Sequence, residues 1–274
     1  MKRIIMTGIL ALGAGLTCVV AQTPAQAPAA APKGPAPKSK AEMEALQALQ
    51  AAQGNPDATI AACENLITKF ADTDFKAIAL FMEADAYEKK NDSEHMVIFA
   101  ERALEANPQN FQAILMLAKY YSTHTRENDL DREEKLGKEE KYAHQVIDMM
   151  KDAPKPNPQL TDDQWAEVRK DISAEAYNAI GLGNLTRKKY DVAAGNFKQA
   201  MDTNSRPEPA YMVRYASALQ SGGKNDEAIA MCDKILADAS VHPQIKQVAQ
   251  NVRAAAVKAG GKAPGGAPAP APAK

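Results

Sequence analysis

Residues 176–204 read AYNAIGLGNLTRKKYDVAAGNFKQAMDTN, and this stretch decides the fold. It holds two segments with the apolar spacing of amphipathic helices, separated by a short polar turn. The small residues Gly181 and Ala193 stand where two antiparallel helices must approach each other closely. Large side chains fill the space around that contact: Tyr177, Ile180, Tyr190 and Phe197. The stretch therefore predicts a tight helical hairpin.

The same arrangement recurs along the chain at intervals of 34 or 35 residues. Ala118 follows Ala84 by 34 positions, and Ala216 follows Gly181 by 35. A fainter copy, in which glutamine replaces the small residue, lies at 43–67. Self-similarity at a fixed period of this length indicates a stack of like hairpins, each of which buries its apolar face against the next.

One interruption breaks the period. Gly181 follows Ala118 by 63 residues, so the stretch 122–173 contains an insertion of 29 residues relative to one period. Thr161 is followed three residues later by Gln164, which is the signature of a capping box at a helix N-terminus. The first helix of the quoted hairpin is therefore predicted to begin several turns early.

This pattern resembles the tetratricopeptide repeat, in which a large residue precedes an aliphatic and a small residue, and Ala-x3-aromatic-x2-Ala follows the turn. The resemblance covers residues 41 to about 242 and implies an all-α solenoid of about five antiparallel hairpins, wound as a right-handed superhelix. Residues 244–258 are predicted to add a closing helix, which gives a repeat domain at 41–258. The residues that carry the repeat are Ala84, Ala118, Tyr177, Gly181, Ala193, Phe197, Ala200, Ala216 and Ala228.

In such arrays the first helices of successive hairpins line a concave groove, so the resemblance implies a protein or peptide partner. In this sequence the corresponding face lies one residue round from the packing face. It combines apolar, methionine-containing segments with polar edges, which suits adaptable recognition of another chain. The residues predicted to line it are Phe81, Met82, Asp85, Leu115, Met116, Lys119, Asn178, Leu182, Val213, Arg214 and Ser217.

Two considerations qualify this predicted groove. The alternative is that neighbouring helices or the insertion cover the face, in which case these residues serve packing. The Lys/Asn constellation with which some members of the family clamp a C-terminal carboxylate is not reproduced in this sequence. Its absence disfavours a receptor for the tails of cytosolic chaperones.

The two ends of the sequence differ in composition from the repeat domain. Residues 1–21 have the features of a secretory signal peptide: a basic start, an apolar run and small residues before a cleavage site after Ala21. An uncleaved anchor and lipid attachment at Cys18 are the alternatives. The Pro/Ala-rich stretches 22–40 and 259–274 are predicted to be disordered. The chain is therefore expected to be exported, periplasmic or secreted, with no stable membrane span after cleavage.

Charge and motif content argue against nucleic-acid binding and catalysis. Residues 41–257 hold 25 basic and 34 acidic residues, a net charge of −9 that disfavours nucleic acid as a partner. No phosphate loop, nucleophile elbow or catalytic triad spacing occurs. Glu140, His144 and Asp148 share one helical face, but that pattern is more typical of a solvated surface than of a metal site. We therefore predict no enzyme activity, no metal and no cofactor.

The two cysteines of the repeat domain are predicted to be buried free thiols. Cys63 and Cys232 both occupy core-facing helical positions near opposite ends of the repeats. A disulfide requires Cα atoms within about 7 Å of each other. This separation in the predicted stack disfavours a bond between them.

The sequence leaves two classes of function open. The leading hypothesis is a non-catalytic scaffold or adaptor of the bacterial cell envelope, which binds a polypeptide in the groove. An accessory factor of outer-membrane or envelope assembly is a variant of that hypothesis. The alternative class is a metal- or substrate-binding component of an enzyme, which would use the insertion at 122–165.

Overall fold

The structure, a computed structural model, describes residues 35–157 and 159–262. Within these ranges the backbone forms eleven α-helices and no strand, which confirms the predicted all-α class. The helices are α1 (Lys40–Ala52), α2 (Pro56–Lys69), α3 (Lys76–Lys89), α4 (Ser93–Ala106), α5 (Phe111–His124), α6 (Arg132–Asp152), α7 (Asp162–Thr186), α8 (Tyr190–Thr203), α9 (Pro209–Ser221), α10 (Asn225–Ala237) and α11 (Pro243–Lys258).

Three hairpin turns, between α3 and α4, α7 and α8, and α9 and α10, have the same backbone conformation. One residue in each turn adopts the left-handed region: Asn91 (φ 58°), Lys188 (φ 58°) and Gly223 (φ 81°). The next amide donates to the carbonyl five residues earlier: Asp92 to Tyr87, Lys189 to Asn184 and Lys224 to Leu219, at 2.9–3.0 Å. This is the Schellman arrangement that closes a helix C-terminus. The equivalence identifies the three hairpins as copies of one structural unit.

The described chain divides into two compact units, and the division falls inside α5. Unit 1 contains the residues up to Ala113 with the segment Pro156–Gln159, and unit 2 contains Ile114–Lys155 and the chain from Leu160 onward. In unit 1, α1 packs on α2, α2 packs on α3, and α3 packs on α4. In unit 2, the same sequential packing runs from α6 to α11, and α11 also packs on α9. The predicted hairpins are therefore present in both units.

Small residues occupy the helix crossings, as the repeat predicts. Ala84 in unit 1 is fully buried, next to Leu80, which packs on Ala103 of α4. In unit 2, Gly181 faces the ring of Phe197 with no space for a side chain. The alanines at the other repeat positions, all of them in unit 2, also have no exposed surface: Ala118, Ala193, Ala200, Ala216 and Ala228. Each of these repeat positions is therefore buried in the structure.

The start of α7 confirms the predicted capping box. The Thr161 hydroxyl accepts from the amide of Gln164 at 3.1 Å, and the Gln164 side chain accepts from the amide of Thr161 at 2.9 Å. The buried Trp165 then donates its indole N–H to the carbonyl of Ala153, just past the end of α6, at 2.7 Å. Arg169 donates to the carbonyl of Lys151 at 2.8 Å. These hydrogen bonds therefore fix the start of the elongated α7 to the end of α6 within the insertion.

The predictions for the chain ends fall mostly outside the described residues. The signal peptide at 1–21, the linker up to residue 34 and the tail from residue 263 belong to this part of the chain. Within the described ranges, helix α1 begins at Lys40 and α11 ends at Lys258. No helix in these ranges combines the length and the apolar character that crossing a membrane requires.

Both cysteines of the described chain are free and fully buried, which confirms the prediction. Burial raises the pKa of the Cys63 thiol to about 12 and that of Cys232 to about 11. Since the thiolate is the reactive form, both groups serve as small apolar side chains of the core.

Candidate binding face

In unit 2, the first helices of three successive hairpins are joined by polar side chains. Lys119 of α5 forms an ion pair with Glu175 of α7 at 2.9 Å. Arg214 of α9 donates from Nη1 to Oδ1 of Asn178 on α7 at 2.6 Å. We call the surface formed by α5, α7 and α9 at these pairs the first-helix face. Three residues of the predicted groove, Lys119, Asn178 and Arg214, are therefore neighbours along it.

Arg214 is the most unusual side chain of the first-helix face. It is partly buried, and within the described ranges no carboxylate comes within ion-pair distance of its guanidinium. Desolvation lowers its pKa, although Tyr211 and Glu208 act in the opposite direction. Its hydrogen bond to the neutral Asn178 amide uses one of five N–H donors. The site therefore holds a desolvated cation with donor capacity for a ligand.

The apolar members of the predicted groove are less exposed than the sequence suggested. Met116 and Val213 are each only 8% exposed, which corrects the expectation that they line an open surface. Val213 packs in a cluster with Cys232, Ile235 and Ala249. The physical reason is that both residues lie within the wide apolar stripe of a packed helix: Met116 directly precedes the fully buried Leu117, and Val213 lies about one turn before Ala216.

The other predicted residues of unit 2 retain partial exposure. Leu115, Leu182 and Ser217 are partly exposed on the first helices of their hairpins. Leu182 also packs against the buried cluster that contains Phe197 and Leu219. The first-helix face therefore has a few apolar contacts set among polar pairs, and the predicted groove of this unit remains a prediction at these positions.

In unit 1, the three predicted groove residues lie on α3 and make contacts within the unit. Phe81 packs against the cluster that contains Leu80, and Met82 packs against the core formed by α1 and α2. Asp85 forms an ion pair with Lys89 one turn later on the same helix. These contacts engage all three side chains in local packing or pairing.

Two buried carboxyl groups that lack hydrogen-bond partners within the described residues were not predicted from the sequence. Glu83 on α3 and Glu139 on α6 have no exposed surface, and neither has a hydrogen-bond partner for its carboxylate oxygens in the described chain. Burial raises the pKa of Glu83 to about 7 and that of Glu139 to about 8. A signal was present in the sequence, since Glu139 follows Leu136 and precedes Ala143 at the spacing of a buried helical stripe.

The residues considered as metal ligands do not form a site. Glu140 pairs with Arg187 at 3.3 Å, and Asp148 pairs with Lys151 at 2.7 Å, while His144 is exposed. Across the described ranges no group of three or more His, Cys, Asp or Glu side chains has an arrangement that could hold a metal ion. Nothing in the geometry of the insertion therefore favours the alternative of an enzyme component.

Comparison with known proteins agrees with the hairpin geometry. Residues 77–110 match the family model of the tetratricopeptide repeat, and this range contains all of α4 and nearly all of α3. The family model therefore covers one hairpin of the chain, α3 with α4. Tetratricopeptide repeats generally mediate protein–protein interaction, and the fold is typically a non-catalytic scaffold.

A solved structure is also similar to this chain. It is the crystal structure of a thermophilic tetratricopeptide-repeat protein from Thermus thermophilus, with 20% sequence identity. The alignment covers 77% of this chain and 98% of that chain, with a TM-score of 0.45. The comparison with curated proteins gave no match.

Proposed function

We propose that the chain is a non-catalytic scaffold that holds a polypeptide partner on the first-helix face of unit 2. The observation that carries this proposal is the placement of Arg214. Its guanidinium is desolvated on a face shared by three first helices, and the hydrogen bond that it makes within the described residues goes to a neutral amide. A partly buried cation without an acidic partner is costly to keep, so a ligand that supplies acceptors gains affinity from it.

The neighbouring residues supply the other contacts that a polypeptide needs. Leu115 and Leu182 offer apolar surface, and the Lys119–Glu175 pair presents one charge of each sign. Interfaces of this kind draw most of their affinity from a few central side chains, among which arginine is over-represented. The partner is therefore a protein segment that brings acceptor groups to Arg214 and apolar side chains to its surroundings.

We propose further that the protein acts in the bacterial cell envelope, after export. The support is the composition of residues 1–21, in which Met1, Lys2 and Arg3 precede an apolar run that ends in small residues. N-terminal sequencing of the protein purified from its native cells is expected to begin at Gln22. An N-terminus at Met1, or a lipid on Cys18, would replace a soluble envelope protein with an anchored one.

The binding proposal is tested by a matched pair of arginine substitutions. Arg214→Ala removes the cation of the first-helix face, whereas Arg253→Ala removes one on α11, where it pairs with Asp233 at 2.6 Å. In quantitative pull-downs, Arg214→Ala is expected to weaken partner recovery about tenfold or more, the loss of a hot-spot residue. Arg253→Ala is expected to recover the same partner as the wild type. Equal recovery by both variants would show that the partner binds elsewhere.

A further inference from the structure

We propose that Glu139 is a buried proton-binding site that makes the packing of α6 on α7 sensitive to pH. The packing is intact while the carboxyl is protonated and loosens when the carboxyl ionises. This inference concerns the stability of unit 2 and goes beyond the proposed binding function.

The carboxyl of Glu139 is enclosed by protein, and no hydrogen-bond donor of the described residues reaches it. The side chain has no exposed surface, and neither oxygen has a partner within the described ranges. It lies against Gly183 of α7, where an added Cβ would overlap Oε2 of Glu139. Glycine at this position therefore makes room for the carboxyl group itself.

The charged neighbours compensate the burial of Glu139 only in part. Arg187 lies one turn beyond Gly183, but it donates to Glu133 at 3.0 Å and to Glu140 at 3.3 Å. On the side of α5, Tyr121 stacks on Tyr142, and Lys138 lies 5.8 Å from the centre of the Tyr121 ring. The only nearby cation that acts on Glu139 within the described chain, Arg187, is therefore already engaged by two other carboxylates.

Desolvation is the largest effect on this group and raises the pKa of Glu139 to about 8. Arg187 opposes the rise, and the neighbouring Glu140 adds to it. The folded protein therefore holds this proton more tightly than the unfolded chain, whose glutamate has the ordinary value of 4.5. By linkage, stability is greatest below the unfolded pKa and falls as the pH rises towards the folded pKa.

Loosening of the packing between α6 and α7 acts on α7, which is the central helix of the first-helix face. Helix α7 bears Gly183 beside Glu139 and also bears Glu175 and Asn178, which join it to α5 and α9. Ionisation of Glu139 therefore disturbs the central helix of that face. Only this effect on the first-helix face rests on the proposed function.

The chain contains a suitable probe for this effect. Trp165 is its single tryptophan, is buried and donates to the carbonyl of Ala153 past the end of α6, so its fluorescence reports the contact between α6 and α7. The experiment measures urea unfolding of the full chain by this fluorescence from pH 5 to pH 9. It compares the wild type with Glu139→Gln and with a control, Glu134→Gln, whose side chain on the same helix is 71% exposed.

Between pH 5 and pH 9, the unfolding constant of the wild type is expected to rise about tenfold or more relative to that of Glu139→Gln. Glu134→Gln is expected to follow the wild type. Parallel pH curves for the wild type and Glu139→Gln would overturn the proposal. If Glu139→Gln does not fold, a carbon-13 NMR titration of the wild-type Glu139 carboxyl decides the question: a midpoint near 8 supports the proposal, and one near 4.5 overturns it. None of these measurements needs a partner, so the outcome is independent of the binding proposal.

Discussion

Gly181 of α7 lies directly against the ring of Phe197 of α8: a Cβ on Gly181 would stand 2.5 Å from the nearest ring carbon. Carbon atoms that are not bonded to each other do not approach so closely, and Phe197 is fully buried and cannot move into solvent. The closest approach of the two helices in this hairpin therefore depends on the absence of a side chain at position 181.

Gly181→Ala is expected to destabilise unit 2 by about 1–3 kcal/mol, because the new methyl group overpacks a closed core. The matched control is Gly195→Ala on α8, an exposed glycine where a Cβ meets no atom within 4 Å. That substitution is expected to stabilise the protein by about 0.5–1 kcal/mol, since alanine is the better helix former. Urea unfolding of both variants measures the difference, and equal effects would show that the helix register is wrong.

A second prediction concerns Lys188, in the turn between α7 and α8. This residue adopts φ 58°, the conformation that Gly223 adopts with φ 81° in the equivalent turn between α9 and α10. A left-handed conformation costs a residue with a Cβ about 1 kcal/mol. Lys188→Gly is expected to raise the free energy of unfolding, because the relief of the left-handed backbone exceeds the loss of an exposed ion pair with Glu127. Gly223→Ala is expected to lower the free energy of unfolding by about 1 kcal/mol. Changes of the same sign in thermal unfolding would contradict the equivalence of the two turns.

Adjacent residues of α5 provide a third prediction. Leu115 is partly exposed, whereas Met116 is 8% exposed. Leu115→Asp is expected to leave the thermal unfolding curve almost unchanged while weakening the partner complex, because the bound apolar surface would desolvate a charge. Met116→Asp is expected to destabilise the protein by about 3–5 kcal/mol, since it buries an unpaired carboxylate. If Leu115→Asp also unfolds the chain, Leu115 is a packing residue and does not belong to the binding face.

The stability of unit 1 is expected to depend on pH through Glu83. Desolvation and the neighbouring Glu64 raise its pKa to about 7, and Arg102 partly opposes them. The folded pKa exceeds the unfolded one, so this carboxyl lowers stability as the pH rises from about 4.5 to about 7. Glu83→Gln is expected to gain about 1–3 kcal/mol over the wild type at pH 8 and nothing at pH 4.

The control for Glu83 is the exposed Glu88 on the same helix. Glu88→Gln is expected to keep the pH dependence of the wild type when unfolding is followed by circular dichroism. A Glu83→Gln variant that loses stability equally at pH 4 and pH 8 would show that the carboxyl is held by a hydrogen bond rather than desolvated.

The sequence predicted the hairpins well because their determinants are local. Small residues such as Gly181 and Ala216 recur at a fixed period, and the Thr161–Gln164 capping box marks where α7 begins. The binding face was harder to predict. Leu115 is partly exposed, whereas Met116, the next residue, is buried beside Leu117, and this difference depends on how widely neighbouring helices cover each other. The division of the chain inside α5 has no marker in the sequence that we identified.

The buried carboxyls show a second limit of sequence patterns. Glu139 stands in the apolar stripe of α6, but glutamate at such a position is ordinarily interpreted as a break in the stripe. What accommodates it is Gly183 on the next helix, 44 positions later. The pairing of a carboxyl with a distant glycine depends on helix packing, so it became visible only in the structure.

The most direct test of the binding face is site-specific photo-crosslinking in the cells that produce the protein. A photoreactive residue at Ser217 lies on the first-helix face, and one at Gln199 lies on the exposed surface of the second helix α8. We predict a discrete crosslinked polypeptide from position 217, absent from position 199 and lost when Arg214→Ala is combined with the probe at 217. A crosslink from position 199 with none from position 217 would contradict the assignment of the first-helix face as the site that holds the partner.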